Sequence, residues 1–447
     1  MITAQELYNS KKRSLHDALG YLHSGDAIIS GLGASEPVEL LKNVHKIGEH
    51  GIKGCDVTSS LPVFSYEYIA NPAYAEVVAS NGWFFSAAQR AAAKSGVANV
   101  SHVPQRLHNA VLRRLYALRE DKRRAVLFAS CSPMDEHGHL SLSLSVTYER
   151  VLVDEGAVVI VEVNPQMPRT FGDSTIHISE IDVLVEVDYP AFALPHVPFN
   201  EKDSSIAGFI SERIGDGSTI QLGIGGVPNA LAVGLKTKKH LGIHTEMLTD
   251  NMVDLFECGA ADNSMKTLCR HKTVGTFAMG SQRLYDFIDN NASVLMKNGT
   301  WTNDPNVVGQ NYKMQSINTA IEVDLFGQCA SEAIGPIQFS GSGGQADTAI
   351  GAQRSDGGHS FICLYSTASV KNKEGERQTV SKIVPMLKEG SVVTLGRNDV
   401  DYVVTEFGIV NLRGRNLKER AERLISIAHP DFREELRYYV KQHPEIY

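Results

Sequence analysis

Short runs of β-branched and other apolar residues alternate with longer stretches in which apolar positions recur every three or four residues. The apolar runs predict strands at 27–29, 125–129, 158–163, 183–187, 219–222, 317–323, 361–364, 391–395 and 402–405. The intervening periodicity predicts helices over 109–121, 204–214, 228–236 and 417–427. Residues 1–22 lack a charged-then-apolar signal pattern and read as an amphipathic helix. Strands and helices alternating at this spacing imply parallel sheets joined by crossover helices.

An internal repeat refines that picture. SGDAIISGLG at 24–33 is matched by DGSTIQLGIG at 216–225, so that Gly25, Ile28, Gly31 and Gly33 recur as Gly217, Ile220, Gly223 and Gly225. After one inserted residue, Pro37 and Leu40 recur as Pro228 and Leu231. Each copy reads as a turn, a buried strand, a Gly-x-Gly loop and a helix opened by proline, where a missing N–H costs nothing. Chance likeness between two strand–loop–helix units is one reading; two related α/β halves is the other. In the second case the boundary falls where YPAFALPHVPFNEKD carries three of the sixteen prolines, giving domains 1–195 and 196–447.

Composition excludes more than it identifies. The 447 residues are 43% hydrophobic and 21% charged, which is ordinary for a folded globular chain. A net charge of −8 argues against a nucleic-acid partner, which requires a basic face. No apolar run reaches the ~18–20 residues of a membrane helix; the best, 151–163, is interrupted by Asp154, Glu155 and Glu162. Six scattered cysteines without a Cys-x-x-Cys fit reduced thiols and a cytoplasmic location.

Three glycine-rich loops could receive a phosphate or an oxyanion: Gly31-Leu-Gly33, Gly223-Ile-Gly225-Gly226, and SGSGGQAD from Ser340 to Asp347. Each could equally be a plain turn. Neither of the first two has the third glycine of a dinucleotide fingerprint, and there is no Gly-Lys-Ser/Thr of a P-loop and no Gly-x-Ser-x-Gly elbow. Asp135-Glu-His-Gly-His139 suits a turn better than a metal centre, so no metal is expected. Glu246 stands out by position. It lies about one crossover helix beyond the second glycine loop, which puts it at the carboxyl end of a neighbouring strand, where open parallel sheets bind ligands. There it could be a nucleophile, a base or a ribose ligand, or simply a carboxylate favoured at a helix N-terminus.

The strings GDGSTIQLGIGGVPNAL, KKHLGIHTEMLTDNMVDLFE, SPMDEHGHLSLS, VEVNPQMPRTFGDSTIHISEID, INTAIEVDLFGQ, QFSGSGGQAD, SKIVP, RNDVDYVVTEFGI and RAERLISIAHPDF are similar to the acetyl-CoA hydrolase/transferase family, nearest its 4-hydroxybutyrate and butyrate–acetate CoA-transferases. The resemblance covers nearly the whole chain. It implies the CoA-transferase fold, two related open α/β domains with largely parallel sheets and an active site in the cleft between them. It assigns the nucleophile to Glu246 and implies coenzyme A as substrate, with no tightly bound cofactor. On this reading Gly341, Gly343 and Gly344 with Asn318 face the oxyanion and substrate, and Gln221, Gly223, Gly225, Gly226 and Gln345 bind CoA. Lys371, Lys373 or Arg397 are candidates for the CoA phosphates. The partners implied are acyl-CoA and a short-chain carboxylate such as acetate, in a homodimer or dimer of dimers. Two rivals remain: a hydrolase using the same glutamate, and a non-enzymatic CoA-sensing module.

Overall fold

The computed structural model describes residues 2–96, 99–372 and 374–447. Its contacts separate two compact units. The first comprises Met1–Pro195, Thr245–Asp250 and Lys272–Asn303; the second comprises His196–His244, Asn251–His271 and Asp304–Tyr447.

The first unit is built on seven strands: β1 (Ala27–Ser30), β2 (Cys55–Ser60), β3 (Val78–Phe84), β4 (Val100–His102), β5 (Ala125–Cys131), β6 (Val158–Val163) and β7 (Val183–Glu186). They lie in the order β7-β6-β5-β1-β2-β3-β4. Every pairing is parallel. Parallel strands covered on both faces read as continuous apolar runs, which is why 125–129 and 158–163 were legible. Ile28, Val57, Val126, Phe128 and Ile160 form the centre of this core with Leu40, Leu41 and Ile69. The predicted N-terminal helix is two helices, Ala4–Lys11 and Leu15–Leu19. The break is cooperative with the sheet: Lys12 bridges Leu184, and the Arg13 N–H donates to the Leu184 carbonyl.

The segments 245–250 and 272–303 join this unit through backbone pairing. Met247–Leu248 runs parallel to Phe277–Ala278, and Thr273–Gly275 and Val294–Met296 extend a small sheet that includes Phe171–Gly172. Gly172, at φ +108°, is obligatory there, because a Cβ would sit 2.3 Å from the Met296 carbonyl oxygen. A division at residue 195 therefore follows chain order, whereas the contacts place Glu246 with the first unit.

The second unit carries β8 (Thr219–Gln221), β9 (Gly242–Ile243), β10 (Met314–Thr319), β11 (His359–Cys363), β12 (Tyr402–Thr405) and β13 (Gly408–Asn411), ordered β9-β8-β10-β11-β12-β13. All neighbours are parallel except the β12–β13 hairpin. The strand expected at 391–395 does not form. Leu395 makes an isolated bridge to Cys329, and Val392 and Val393 face solvent, so their β-branched preference has no sheet to join. The run at 317–323 is divided between β10 and a short strand, Glu322–Asp324. The repeat has matching geometry in both units: Gly25 and Gly217 take φ +84° and +74°, Gly33 and Gly225 take +58° and +115°. Pro37 caps the helix Val38–Asn43, and Pro228 is third in the helix Gly226–Leu235. Among the described residues, no helix is long and apolar enough to cross a membrane.

The first unit buries three glutamates: Glu36, Glu149 and Glu162. Burial pushes Glu36 up to about 8, against hydrogen bonds from the Tyr66 hydroxyl and the Val63 N–H, and pushes Glu162 up to about 7. Such a carboxyl binds its proton in the folded chain and releases it in the unfolded one. Its contribution is complete below the unfolded value of 4.5 and is lost as pH rises through the folded one, by up to ~1.4 kcal/mol per pH unit for each group. Glu36→Gln is expected to remove about that slope between pH 5 and 8, measured by urea unfolding at a series of pH values.

Candidate active site

The chain passes from the second unit to the first between His244 and Thr245, and Glu246 lies three residues beyond the end of β9. Its backbone is pinned. The Glu246 carbonyl accepts from the N–H groups of Thr276 (2.9 Å) and Phe277 (3.2 Å), and the Thr245 N–H donates to Val274 (3.0 Å). The side chain is half-buried, and its Oε2 accepts a hydrogen bond from Asn303 Nδ2 at 2.9 Å. Asn303 is completely buried. Tyr148, also buried, shares a hydrogen bond of 3.0 Å with the Ser60 hydroxyl at the end of β2 and packs on Trp83. Burial, opposed by the Ser60 hydrogen bond and reinforced by the Glu246 charge, holds the Tyr148 hydroxyl protonated well above the usual tyrosine range.

The three glycine loops differ. Gly31, Leu32 and Gly33 are buried, and the Gly31 N–H is spent on the Phe128 carbonyl. A Cβ on Gly31 would lie 2.8 Å from the Ser35 carbonyl oxygen, so close packing explains this loop without a ligand. Gly223, Gly225 and Gly226 are partly open to solvent and start the helix Gly226–Leu235, which has no side-chain cap. The loop borders a cleft of about 270 Å³ with Asp203, Thr319, Cys363 and Lys382. Burial lowers Lys382 from the ordinary lysine value, against the charges of Glu322 and Glu406. The third loop, with Gly343 at φ +51°, leads into Gln345–Arg354, whose N-cap Gly344 also lacks a side-chain cap. Uncapped N-termini leave backbone N–H groups directed at whatever anion approaches.

Around these two loops the second unit gathers Gln221, Asn318 and Gln345 at the carboxyl ends of β8 and β10. Gln221 Oε1 accepts from the Ser316 hydroxyl (3.1 Å) and the Ile317 N–H (3.2 Å). Asn318 Nδ2 donates to Ser316 Oγ (2.9 Å) and Thr348 Oγ1 (3.2 Å), and Thr348 Oγ1 donates to the Gly344 carbonyl (3.1 Å). Gln345 Nε2 donates to the Thr319 carbonyl (3.1 Å). Gly341 and Gly344 are buried beside this network. The Asn318 amide nitrogen is thus already committed within the unit.

The remaining candidates lie on the surface. Lys371 is exposed at the end of the ribbon Thr367–Lys371/Arg377–Ser381, Arg397 is exposed and stacks on Phe326, and Lys373 lies outside the described residues. Asp135 accepts from the N–H groups of His137 and His139 and pairs with Arg169, as a turn does. Among the described residues no cluster of His, Cys, Asp and Glu is arranged to hold a metal. Asn303, Tyr148 and Ser60 escaped sequence reasoning. Asn298 and Asp304 signal helix N-caps on either side of Asn303, but nothing local marks Asn303 itself.

Residues 2–195 match the acetyl-CoA hydrolase/transferase N-terminal domain, and residues 280–440 match the C-terminal domain of the same family. The chain is 43% identical to a succinyl-CoA:cyclohexane-1-carboxylate CoA transferase of Geobacter metallireducens, over 96% of this chain and 94% of that protein. It is 38% identical to a 4-hydroxybutyrate coenzyme A transferase of Clostridium kluyveri, over 97% of each. The crystal structure of RipA from Yersinia pestis superposes with a TM-score of 0.89 at 35% identity, covering 99% of both chains.

Gln221→Ala is expected to leave the buried Ser316 hydroxyl and Ile317 N–H without their shared acceptor. The loss should be about 1–3 kcal/mol in urea-unfolding free energy.

Proposed function

We propose that this chain, which belongs to the acetyl-CoA hydrolase/transferase family, moves CoA between short-chain carboxylic acids with Glu246 as its nucleophile. The chain is a CoA-transferase. The observation that carries the assignment to Glu246 is a half-buried carboxylate with its backbone carbonyl pinned by two N–H groups and one oxygen held by an amide.

In the proposed cycle the Glu246 carboxylate attacks the acyl-CoA thioester carbonyl. The C–S bond breaks, giving a mixed acyl-glutamyl anhydride and CoA thiolate. The thiolate then attacks the glutamyl carbonyl, the first acid leaves as its carboxylate, and a glutamyl-CoA thioester remains. An acceptor carboxylate reverses the sequence. No step requires a proton, a metal or an oxidant. Covalent catalysis divides one hard exchange into easier ones. A carboxylate suits the task because its anhydride is as reactive as the thioester it replaces, whereas a serine ester would be too stable.

The supporting parts lie in the second unit. The Gly341–Gly344 loop is proposed to supply N–H donors to the oxyanion on the substrate carbon, with Asn318 bracing that loop through Thr348. The open loop Gly223–Gly226, with Gln221 and Gln345, is proposed to border the CoA path, and Lys382 adds a cation beside it. The halves 1–195 and 196–447 are proposed to be related modules, the later one lending residues 245–250 and 272–303 to the earlier one's fold. A cytoplasmic homodimer belongs to the same proposal, with acetate and butyrate or 4-hydroxybutyrate as exchanging acids.

Incubation with acyl-CoA followed by borohydride or hydroxylamine should modify the peptide containing Glu246 and no other. Glu246→Asp, which withdraws the carboxylate by one methylene, should lower kcat about 10²-fold. Normal turnover by that variant would exclude the assignment. CoA should pass to labelled acetate with little release of free CoA; acceptor-independent release of CoA would instead establish the hydrolase, as in more distant relatives named acetyl-CoA hydrolase.

A further inference from the structure

We propose that Lys266 is a positioning residue for the nucleophile, holding the carboxyl end of β9, from which the chain runs into Glu246; this rests on Glu246 being the nucleophile. β9 (Gly242–Ile243) is the edge strand of its sheet. The N–H groups of Gly242 and His244 turn inward, to the carbonyls of Ser218 (2.9 Å) and Ile220 (3.2 Å). Backbone polar groups alternate sides along a strand, so the N–H and carbonyl of Ile243 face the open edge. Ile243 is buried, and a buried backbone group without a partner is costly.

Two side chains take the place of the missing strand. Asn263 Oδ1 accepts from the Ile243 N–H at 2.8 Å, and Lys266 Nζ donates to the Ile243 carbonyl at 2.7 Å. Both residues are buried. Two positions earlier, Leu241 uses backbone partners on the same segment: its N–H donates to the Ala260 carbonyl (2.9 Å) and its carbonyl accepts from the Asn263 N–H (3.0 Å). Side chains thus continue a ladder that the backbone of 260–263 begins. The Lys266 stem lies across Gly242, where a Cβ would sit 2.4 Å from its Cγ. The loop is tightly held. Asn263, Cys269 and His271 take φ of +57°, +48° and +63°, a left-handed conformation that costs free energy in non-glycine residues. The His271 N–H donates to the Asn263 carbonyl (2.9 Å), Arg270 Nε to the Ser264 carbonyl (2.6 Å), and the Tyr312 N–H to Thr267 Oγ1 (2.9 Å).

Lysine is a costly residue for this place. Burial lowers it to about 7, against the charge of Cys269. A group kept for stability alone would gain little here, because the cost of burying the ammonium opposes the hydrogen bond it makes. What the ammonium supplies is a charge-assisted bond to one carbonyl at a fixed place. From Ile243 the covalent path to Glu246 contains only His244 and Thr245. Downstream, the Thr245 N–H and the Glu246 carbonyl are already tied to Val274, Thr276 and Phe277. Lys266 and Asn263 tie the upstream end. The backbone that bears the nucleophile is then held from both sides, and a misplacement of about 1 Å can cost 10²-fold in rate.

Lys266→Met keeps an unbranched stem against Gly242 and removes the buried charge and the hydrogen bond together. Its urea midpoint should stay near wild type, because those two losses oppose each other. Its kcat should fall about 10- to 10²-fold, with the KM for acyl-CoA changed only a few-fold. A merely structural residue would give the reverse, a lowered midpoint with an unchanged kcat in the folded enzyme. Hydrogen exchange in the peptide 241–248 should quicken in the variant, while that of β11 should not. A kcat within threefold of wild type, or unchanged exchange over 241–248, would overturn the proposal. If Lys266→Met does not fold, Lys266→Gln, whose neutral donor falls one atom short, decides by the same two criteria. In the unaltered enzyme the Ile243 amide should exchange as slowly as the centre of β10; exchange at the rate of surface loops refutes the clamp whichever variants fold. Glu246→Ala separates the two readings. If it is inactive while Lys266→Met is normal, only Lys266 is misassigned; if it turns over normally, the nucleophile itself is.

Discussion

The site depends on one half-buried carboxylate, Glu246, whose backbone is fixed by hydrogen bonds of its own. A carboxylate in open solvent is mobile and well hydrated, and one in an apolar core takes up a proton, as Glu36 does. Glu246 is half-buried, and its chain segment is stitched to the first unit by backbone hydrogen bonds. Thr276 and Phe277 donate to its carbonyl, Val146 donates to Thr276, and Ala278 donates to Leu144. One oxygen of the side chain accepts a hydrogen bond from the Asn303 amide. The small sheet around Gly172 and Met296 exists, in this view, to place residues 272–303 where that amide can reach.

The same constraint accounts for what the sequence conceals. Apolar parallel strands such as β5 and β6 announce themselves because both faces are covered. β2 does not: Cys-Asp-Val-Thr-Ser-Ser reads as polar, yet all six residues are buried, with Asp56 neutralised by Arg114 and Arg123. Its partners come from a helix and a loop roughly 60 residues away, which no local pattern records. The glutamate could be singled out because one crossover helix separates it from a strand that the repeat had located. Asn303 could not, since its meaning arises only when 299–303 packs beside 246. Val392 and Val393 show the converse error, in which β-branched residues suggest a strand where no partner strand exists.

The two copies of the internal repeat show how one local structure is adapted to two purposes. Both keep a left-handed glycine before the strand and another after it. In the first copy the loop is closed over by Ser35 and Glu149 and serves packing. In the second it stays open at a helix N-terminus beside a cleft. The polar network of Gln221, Ser316, Asn318 and Thr348 links the strand ends to one another, and Thr348 ties the glycine-rich loop to them through the Gly344 carbonyl.

The cysteines acquire a role from where they sit. Cys55, Cys131, Cys329 and Cys363 are buried, and Cys363 borders the cleft beside Gly225 and Gly226. Burial raises the Cys363 thiol far above the usual range, so it remains protonated. The thiolate, not the thiol, attacks an activated acyl group. A thiol kept protonated at the edge of this cleft is a poor nucleophile toward a thioester, so the sulfur that reacts in the proposed cycle is the one the substrate brings in from solution.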